Sequence, residues 1–166
     1  MCHLDDYVIY GIHGACRVLG REKQLVNKKR TEFLVLEPLM QSGSKYYVPA
    51  ENPTAMAKLQ AVLSQDELVR LLESDAVRED CWISDEGHRK QIYRELITSA
   101  DRLRLMQMVA SLYRYRGAQE AAGRKFHLCD DNFLRDAERL LSSEIAVALE
   151  MTPELARNLL REKLGA

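Results

Sequence analysis

Short apolar runs alternate with polar breaks over the first fifty or so residues of this chain. "YVIY", "ACRVL", "TEFLVLE" and "KYYVP" are rich in Val, Tyr, Phe and Leu, and "GIHG", "NKKR" and "QSGS" separate them. β-branched and aromatic runs bounded by Gly, Asn and Ser predict strands joined by tight turns. Their spacing predicts an antiparallel meander over residues 1–52 that closes into a small SH3- or Tudor-like β-barrel. So short a segment encloses little apolar volume, so the barrel is expected to lean on a neighbour. In "YGIHG", Gly11 and Gly14 fit a connection that needs positive φ. His13 between them reads as a turn residue rather than a base or a metal ligand.

After "VPAENP" the period changes from two to that of a helix. Asn52 followed by Pro53 is an N-cap with proline at the first helical position, predicting a helix from 53 to about 63. Ser64 and Glu67 form a capping box ahead of "DELVRLLES". Further helices are predicted over about 86–100, 101–117 and 131–150. Leu103, Met106, Val109, Leu112 and Tyr113 share a face of the fourth helix, and Leu134, Ala137, Leu141, Ile145 and Ala148 share one of the fifth. Thr152 with Pro153 and Glu154 opens the last. The fold class is therefore α+β, with residues 53–166 an all-α domain.

Composition sharpens this picture. Of the 166 residues, 46% are hydrophobic and 30% charged, the balance of a globular chain. The four cysteines, Cys2, Cys16, Cys81 and Cys129, form no C-x-x-C pair, which points to reduced thiols in a cytoplasmic protein. No apolar run approaches the length of a membrane span, so no membrane partner is expected. The four histidines fall in separate segments, and neither a nucleophile elbow nor a phosphate-cradling glycine loop occurs. No catalytic residue, metal or cofactor is expected, and the protein reads as a non-enzyme.

Charge is segregated along the helical half. Residues 64–86 hold eight acids against two bases, whereas residues 88–116 hold seven bases against two acids. A surface of net +5 on adjacent helices could neutralise phosphates and release counterions, although arginines at helical spacing also serve as an ordinary solvated face. Trp82, the single tryptophan, stands at the junction in "REDCWISDEGHRK". It reads either as core or as an aromatic wedge beside basic residues that hold a nucleic-acid backbone.

Taken in order, "YGIHGACRV", "EFLVLEP", "SKYYVPAEN", the Trp82 segment with "HRK", and "LLSSEIAVALEMTPELARNLLREKLG" resemble the CarD-like family of bacterial transcription regulators. The first domain of that family is similar to the RNA polymerase-interacting domain of transcription-repair coupling factors. The resemblance implies a barrel that docks on the β subunit of RNA polymerase, with Lys23, Gln24, Lys45 and Tyr47 at the contact. It implies a helical domain that reaches promoter DNA at the upstream edge of the melted region. There Trp82 would act as a wedge, and His88, Arg89, Lys90 and Arg94 would lie on the backbone. A monomer acting in the cytoplasm, at the nucleoid through polymerase, is the expectation. The alternative is an adaptor that binds polymerase or another protein without touching DNA. Two departures stand out. Gln24 lies where relatives often carry arginine, with Lys23 and Lys28 nearby, and Gly11 lies where relatives carry proline.

Overall fold

The computed structural model describes residues 2–165. The chain divides into two compact units, Met1–Val62 and Leu63–Ala166.

The first unit is a five-stranded antiparallel sheet. Strand β1 (Tyr7–Tyr10) turns through Gly11–His13 into β2 (Ala15–Val26), followed by β3 (Lys29–Pro38), β4 (Tyr46–Pro49), a single helical turn α1 (Pro53–Met56) and β5 (Leu59–Ala61). The strand order is β4-β3-β2-β1-β5, an open sheet with β4 and β5 at its edges. The "GIHG" corner uses both of its glycines at positive φ, Gly11 at 48° and Gly14 at 68°. Gly14 combines this with ψ of −147°, a region closed to residues with a Cβ. His13 stacks on Tyr46 at 3.8 Å between ring centroids, which ties the corner to the far edge strand. At the β2–β3 hairpin, Asn27 and Lys28 both take positive φ, as a two-residue turn between twisted strands requires. A bulge between Val18 and Gly20 shifts the register once along β2. On one side of the sheet Val8, Cys16, Val18, Leu34, Leu36, Val48 and Leu59 pack into a small core.

The helix expected over 53–63 is overturned. Asn52 does cap it, its Oδ1 accepting from Thr54 N and Ala55 N at 3.0 and 3.2 Å. The helix nevertheless stops at Met56, and β5 pairs with β1 through Val8–Ala61, Ile9–Gln60 and Tyr10–Leu59. An isolated helix of this length is marginal, and satisfying the unpaired edge of β1 outweighs local propensity. The sheet unit therefore reaches Val62, ten residues past the boundary expected from the turn at Asn52.

In the second unit, α2 (Gln65–Glu73) and a 3-10 turn (Asp75–Arg78) precede an extended loop. Then follow α3 (Glu86–Ser99), α4 (Arg102–Ala121), α5 (Leu128–Ala148) and α6 (Pro153–Leu164). The capping box at Ser64 and Glu67 is formed, as is the Thr152 cap of α6. The backbone and side-chain hydrogen bonds from Ser64 hold the Glu67 carboxyl below its usual range. Helix α4 is the axis of the unit. Its middle, from Leu105 to Tyr113, is buried nearly all the way round, a wider contact than the single expected face, and Leu103 lies only at its margin. Buried charges cross-link the helices. Arg102 pairs with Glu144 at 3.0 Å, and Glu144 also accepts from Leu63 N. Glu138 on α5 accepts from Tyr113 and from Arg161. Burial, with Glu138 adding to it, pushes the Tyr113 hydroxyl well above its ordinary pKa.

Candidate docking face and candidate nucleic-acid interface

The sheet has a second face that displays side chains rather than burying them all. Opposed pairs in the ladder are Gln24–Thr31, Glu22–Phe33, Gly20–Val35 and Val35–Tyr47. Alternation puts Gln24, Phe33 and Tyr47 together on the side away from the small core. Tyr47 is 41% exposed and meets Phe33 edge-to-face at 6.3 Å. Lys23 opposes Glu32 and points to the other side, where Arg21 bonds Glu32 at 3.1 Å. Lys45 is exposed just before β4. So Gln24 and Tyr47 share one surface and Lys23 does not. Sequence reasoning passed over Phe33, although the alternation in "EFLVLE" places it beside Tyr47. It also passed over the hairpin tip, where Leu25 is 72% exposed among Lys28, Lys29 and Arg30.

In the helical unit, Trp82 lies on the extended loop between the 3-10 turn and α3. Hydrogen bonds fix this loop at both ends. Cys81 N donates to Ser111 Oγ at 3.0 Å, Trp82 N donates to Asp80 Oδ1 at 3.1 Å, and His88 N donates to the α3 cap Asp85 at 2.7 Å. The indole is half-buried and stacked on Tyr115 of α4, with centroids 3.7 Å apart and planes 17° from parallel. Tyr115 in turn neighbours Phe126 at 6.4 Å and accepts a hydrogen bond from Gln119 at 2.6 Å. The indole is thus part core and part surface.

The basic residues after Trp82 separate by environment. Arg89 is 5% exposed. Its Nε and Nη2 donate to the two oxygens of buried Asp130 at 2.9 Å each, and Nη1 donates to Ile83 O at 2.9 Å. Its guanidinium also lies over the Trp82 ring at 4.4 Å. Burial opposes its charge, and the Asp130 bonds and charge overcome that, so its pKa ends raised. Arg89 therefore grips the Trp82 loop from inside. Lys90 pairs with Glu86 one turn earlier, an interaction that holds the carboxyl below and the ammonium above their usual ranges. His88 and Arg94 are exposed on α3. Arg114 donates to Arg78 O and Ser111 Oγ and lies 3.6 Å from Asp80. Among the described residues, no ion pair engages Arg94, Arg104 or Arg116.

Asp130 and Tyr115, which determine what Arg89 and Trp82 do, went unseen in the sequence because they lie far along the chain on other helices. The cysteines are free thiols, and burial pushes the Cys16 thiol up to about 12, away from reactivity. Among the described residues, no group of three or more His, Cys, Asp or Glu gathers as a metal ion would require. Among the described residues, no helix is long and apolar enough to cross a membrane.

Comparison with family models matches residues 3–60 to the CarD-like/TRCF RID domain. The match ends within β5, so it spans nearly all of the sheet unit and none of the helical one. No curated protein matches the chain.

Proposed function

We propose, with residues 3–60 a CarD-like/TRCF RID domain, that this protein regulates transcription by docking on RNA polymerase and contacting promoter DNA. The family match is the single observation that carries the reading, because this domain type is a polymerase-interacting module. The strand order supports it: a meander whose fifth strand, after one helical turn, returns beside the first is that of a small Tudor- or SH3-like domain. The β subunit is the proposed contact, met by Gln24 and the exposed Tyr47–Phe33 pair, with Lys45 at the rim.

The helical unit is proposed to reach the upstream edge of the melted promoter. The exposed edge of Trp82 wedges against distorted base steps there. Arg89, committed to Asp130, acts as a positioning residue for that wedge, and His88, Lys90 and Arg94 meet the backbone. A protein that binds the open complex better than the closed one shifts the equilibrium by its differential affinity. About 1–3 kcal/mol of coupling changes that equilibrium by about 5- to 150-fold. Docking raises the effective concentration at the DNA, so neither unit needs to bind tightly alone.

A second reading, an adaptor without DNA contact, is favoured by one observation. Arg89, Lys90 and Arg114 are all held by acids of the same unit. Footprinting and lifetime measurements on a forked promoter with polymerase separate the two. The DNA reading expects upstream-edge protection, a longer-lived open complex that Trp82→Ala shortens, and affinity that falls steeply with salt. Unchanged lifetime and a flat salt response leave the adaptor. Loss of polymerase capture by Tyr47→Ala in the full chain tests the docking face; undiminished capture removes that face from the proposal.

A further inference from the structure

The Trp82 indole is covered on both faces, by the Tyr115 ring at 3.7 Å and by the Arg89 guanidinium at 4.4 Å. Only its rim is open, so whatever holds a partner against it must lie around that rim. The α4–α5 connection, residues 122–127, runs between the two groups that cover the indole. At one end Arg124 N donates to Gln119 O at 2.8 Å, and Gln119 Nε2 donates to the Tyr115 hydroxyl. Gly123 N donates to Glu120 O at 3.0 Å, with Gly123 in the left-handed region at φ of 71°. Together these bonds close α4 in a Schellman turn, so backbone geometry sets the course of the chain at Arg124. At the other end Asp130, in the first turn of α5, holds Arg89. Between the two, Phe126 is half-buried 6.4 Å from Tyr115.

What this connection displays is cationic. Residues 114–127 carry Arg114, Arg116, Arg124 and Lys125 against Glu120 alone. The acids that follow are engaged within the unit, Asp130 by Arg89 and Asp131 by Arg135. Arg124 and Lys125 are exposed, and among the described residues no ion pair engages either. The approach over the start of α3 is different. Glu79, Asp80, Asp85 and Glu86 are exposed there, and Lys90 is held by Glu86. Arg94 is five residues beyond Arg89, about 7.5 Å further along the helix. A polyanion is therefore repelled on the α3 side of the rim and attracted on the side of the connection. A run of phosphates fits this asymmetry, because it needs no apolar pocket and gains from counterion release at adjacent cations.

We propose that Arg124 and Lys125, on the α4–α5 connection, hold the phosphate backbone of the promoter strand that passes the rim of Trp82. The inference rests on the DNA-contacting reading above and gives it its principal backbone contact. The acids of residues 79–86 weaken the hold of α3, so His88, Lys90 and Arg94 contribute less.

The test uses the full chain in the polymerase–promoter complex, where docking supplies the effective concentration. Its readout is the factor by which the protein lengthens open-complex lifetime, followed across salt. Arg124→Gln combined with Lys125→Gln should lower that factor and flatten its salt dependence, while urea unfolding stays as in the wild type. Each phosphate contact contributes a slope of about 0.9, so from 50 to 200 mM salt the wild-type factor should fall about tenfold more than the variant's. Trp82→Ala should lower the factor without changing the slope, and Arg94→Gln should do less than the glutamine pair on both measures. A photo-crosslinking benzoylphenylalanine in place of Arg124 should attach to DNA at the upstream edge. The contact is overturned, with the DNA-contacting reading left standing, if Trp82→Ala shortens the lifetime and the glutamine pair changes neither factor nor slope. A larger effect of Arg94→Gln, or cross-linking from position 124 to an acidic segment of polymerase and not to DNA, overturns it as well. If the wild-type chain is captured by polymerase yet neither lengthens the lifetime nor protects the upstream edge, both readings fall and the adaptor remains.

Discussion

Tyr47 on β4 and Arg89 on α3 are both expected from the sequence to meet a partner, yet the first is 41% exposed and the second 5%. The difference follows from how each unit holds itself together. In the sheet unit the ladder hydrogen bonds carry the fold, so alternate side chains on the outer face remain on display. In the helical unit the connections between helices are made partly by charges, and those charges are used up in making them. Position in a sequence therefore says more about availability on a strand than on a helix whose partner lies elsewhere in the chain.

The largest break in this comparison is expected at Asp130. Removing its carboxylate by Asp130→Ala leaves the Arg89 guanidinium buried without its counter-charge, which costs about 3–5 kcal/mol. Urea unfolding followed by Trp82 fluorescence should show the loss. A change typical of a surface ion pair would mean that Arg89 reaches solvent and can serve as a direct backbone contact after all.

The sheet unit offers a paired test at neighbouring positions of β3. Leu34 is fully buried in the small core, and Leu34→Ala is expected to destabilise by about 2–5 kcal/mol, read from hydrogen exchange of the β2 and β3 amides. Phe33 points the other way, and Phe33→Ala should leave that exchange nearly unchanged while reducing polymerase capture. If both variants behave as core lesions, the outer face is structural and the contrast with the helical unit collapses.

These tests also bear on how much was legible beforehand. The apolar parts of strands β1 to β4 were, though not the polar outer half of β2, Gly20 to Val26, or the start of β3 at Lys29, because only the Val, Ile, Tyr and Phe runs are decided locally. The helix starts at Ser64, Glu86, Asp101 and Thr152 were too, because a cap is a contact within four residues. Strand β5 was not. "KLQAVL" has a good helical pattern, and only the open edge of β1, fifty residues earlier, makes it a strand. For the same reason Trp82 could be singled out without its setting: Tyr115 and Arg89 arrive through packing of α3 and α4, and Asp130 through α5.

The corner at Gly14 gives a smaller effect. Its φ of 68° with ψ of −147° is open to glycine alone, so Gly14→Ala should cost about 1–3 kcal/mol, seen as a lowered melting temperature of the sheet unit. Gly11, at φ of 48° with nothing near its missing Cβ, lies in the left-handed region that asparagine tolerates. Gly11→Asn should therefore cost less. Equal costs would show that the two glycines of "GIHG" are not distinguished by backbone conformation.

The smallest change in stability and the sharpest for function is Glu86→Gln. Glu86 is exposed at the first turn of α3 and holds Lys90. An exposed pair of this kind is screened by water and adds little to folding, so the melting temperature should stay where it is. DNA binding should instead tighten several-fold and become more salt-dependent, because one cation is released and one opposing charge is removed. Mild acid cannot substitute for the mutation. The Lys90 hydrogen bond and charge hold the Glu86 carboxyl below its usual range, so at pH 5 it is still ionised and still engaged. A lower folded pKa means the pairing is present above the ordinary carboxylate pKa and is lost only as pH falls through the depressed value. DNA binding by the wild-type chain that tightened between pH 7 and pH 5 could not come from Glu86.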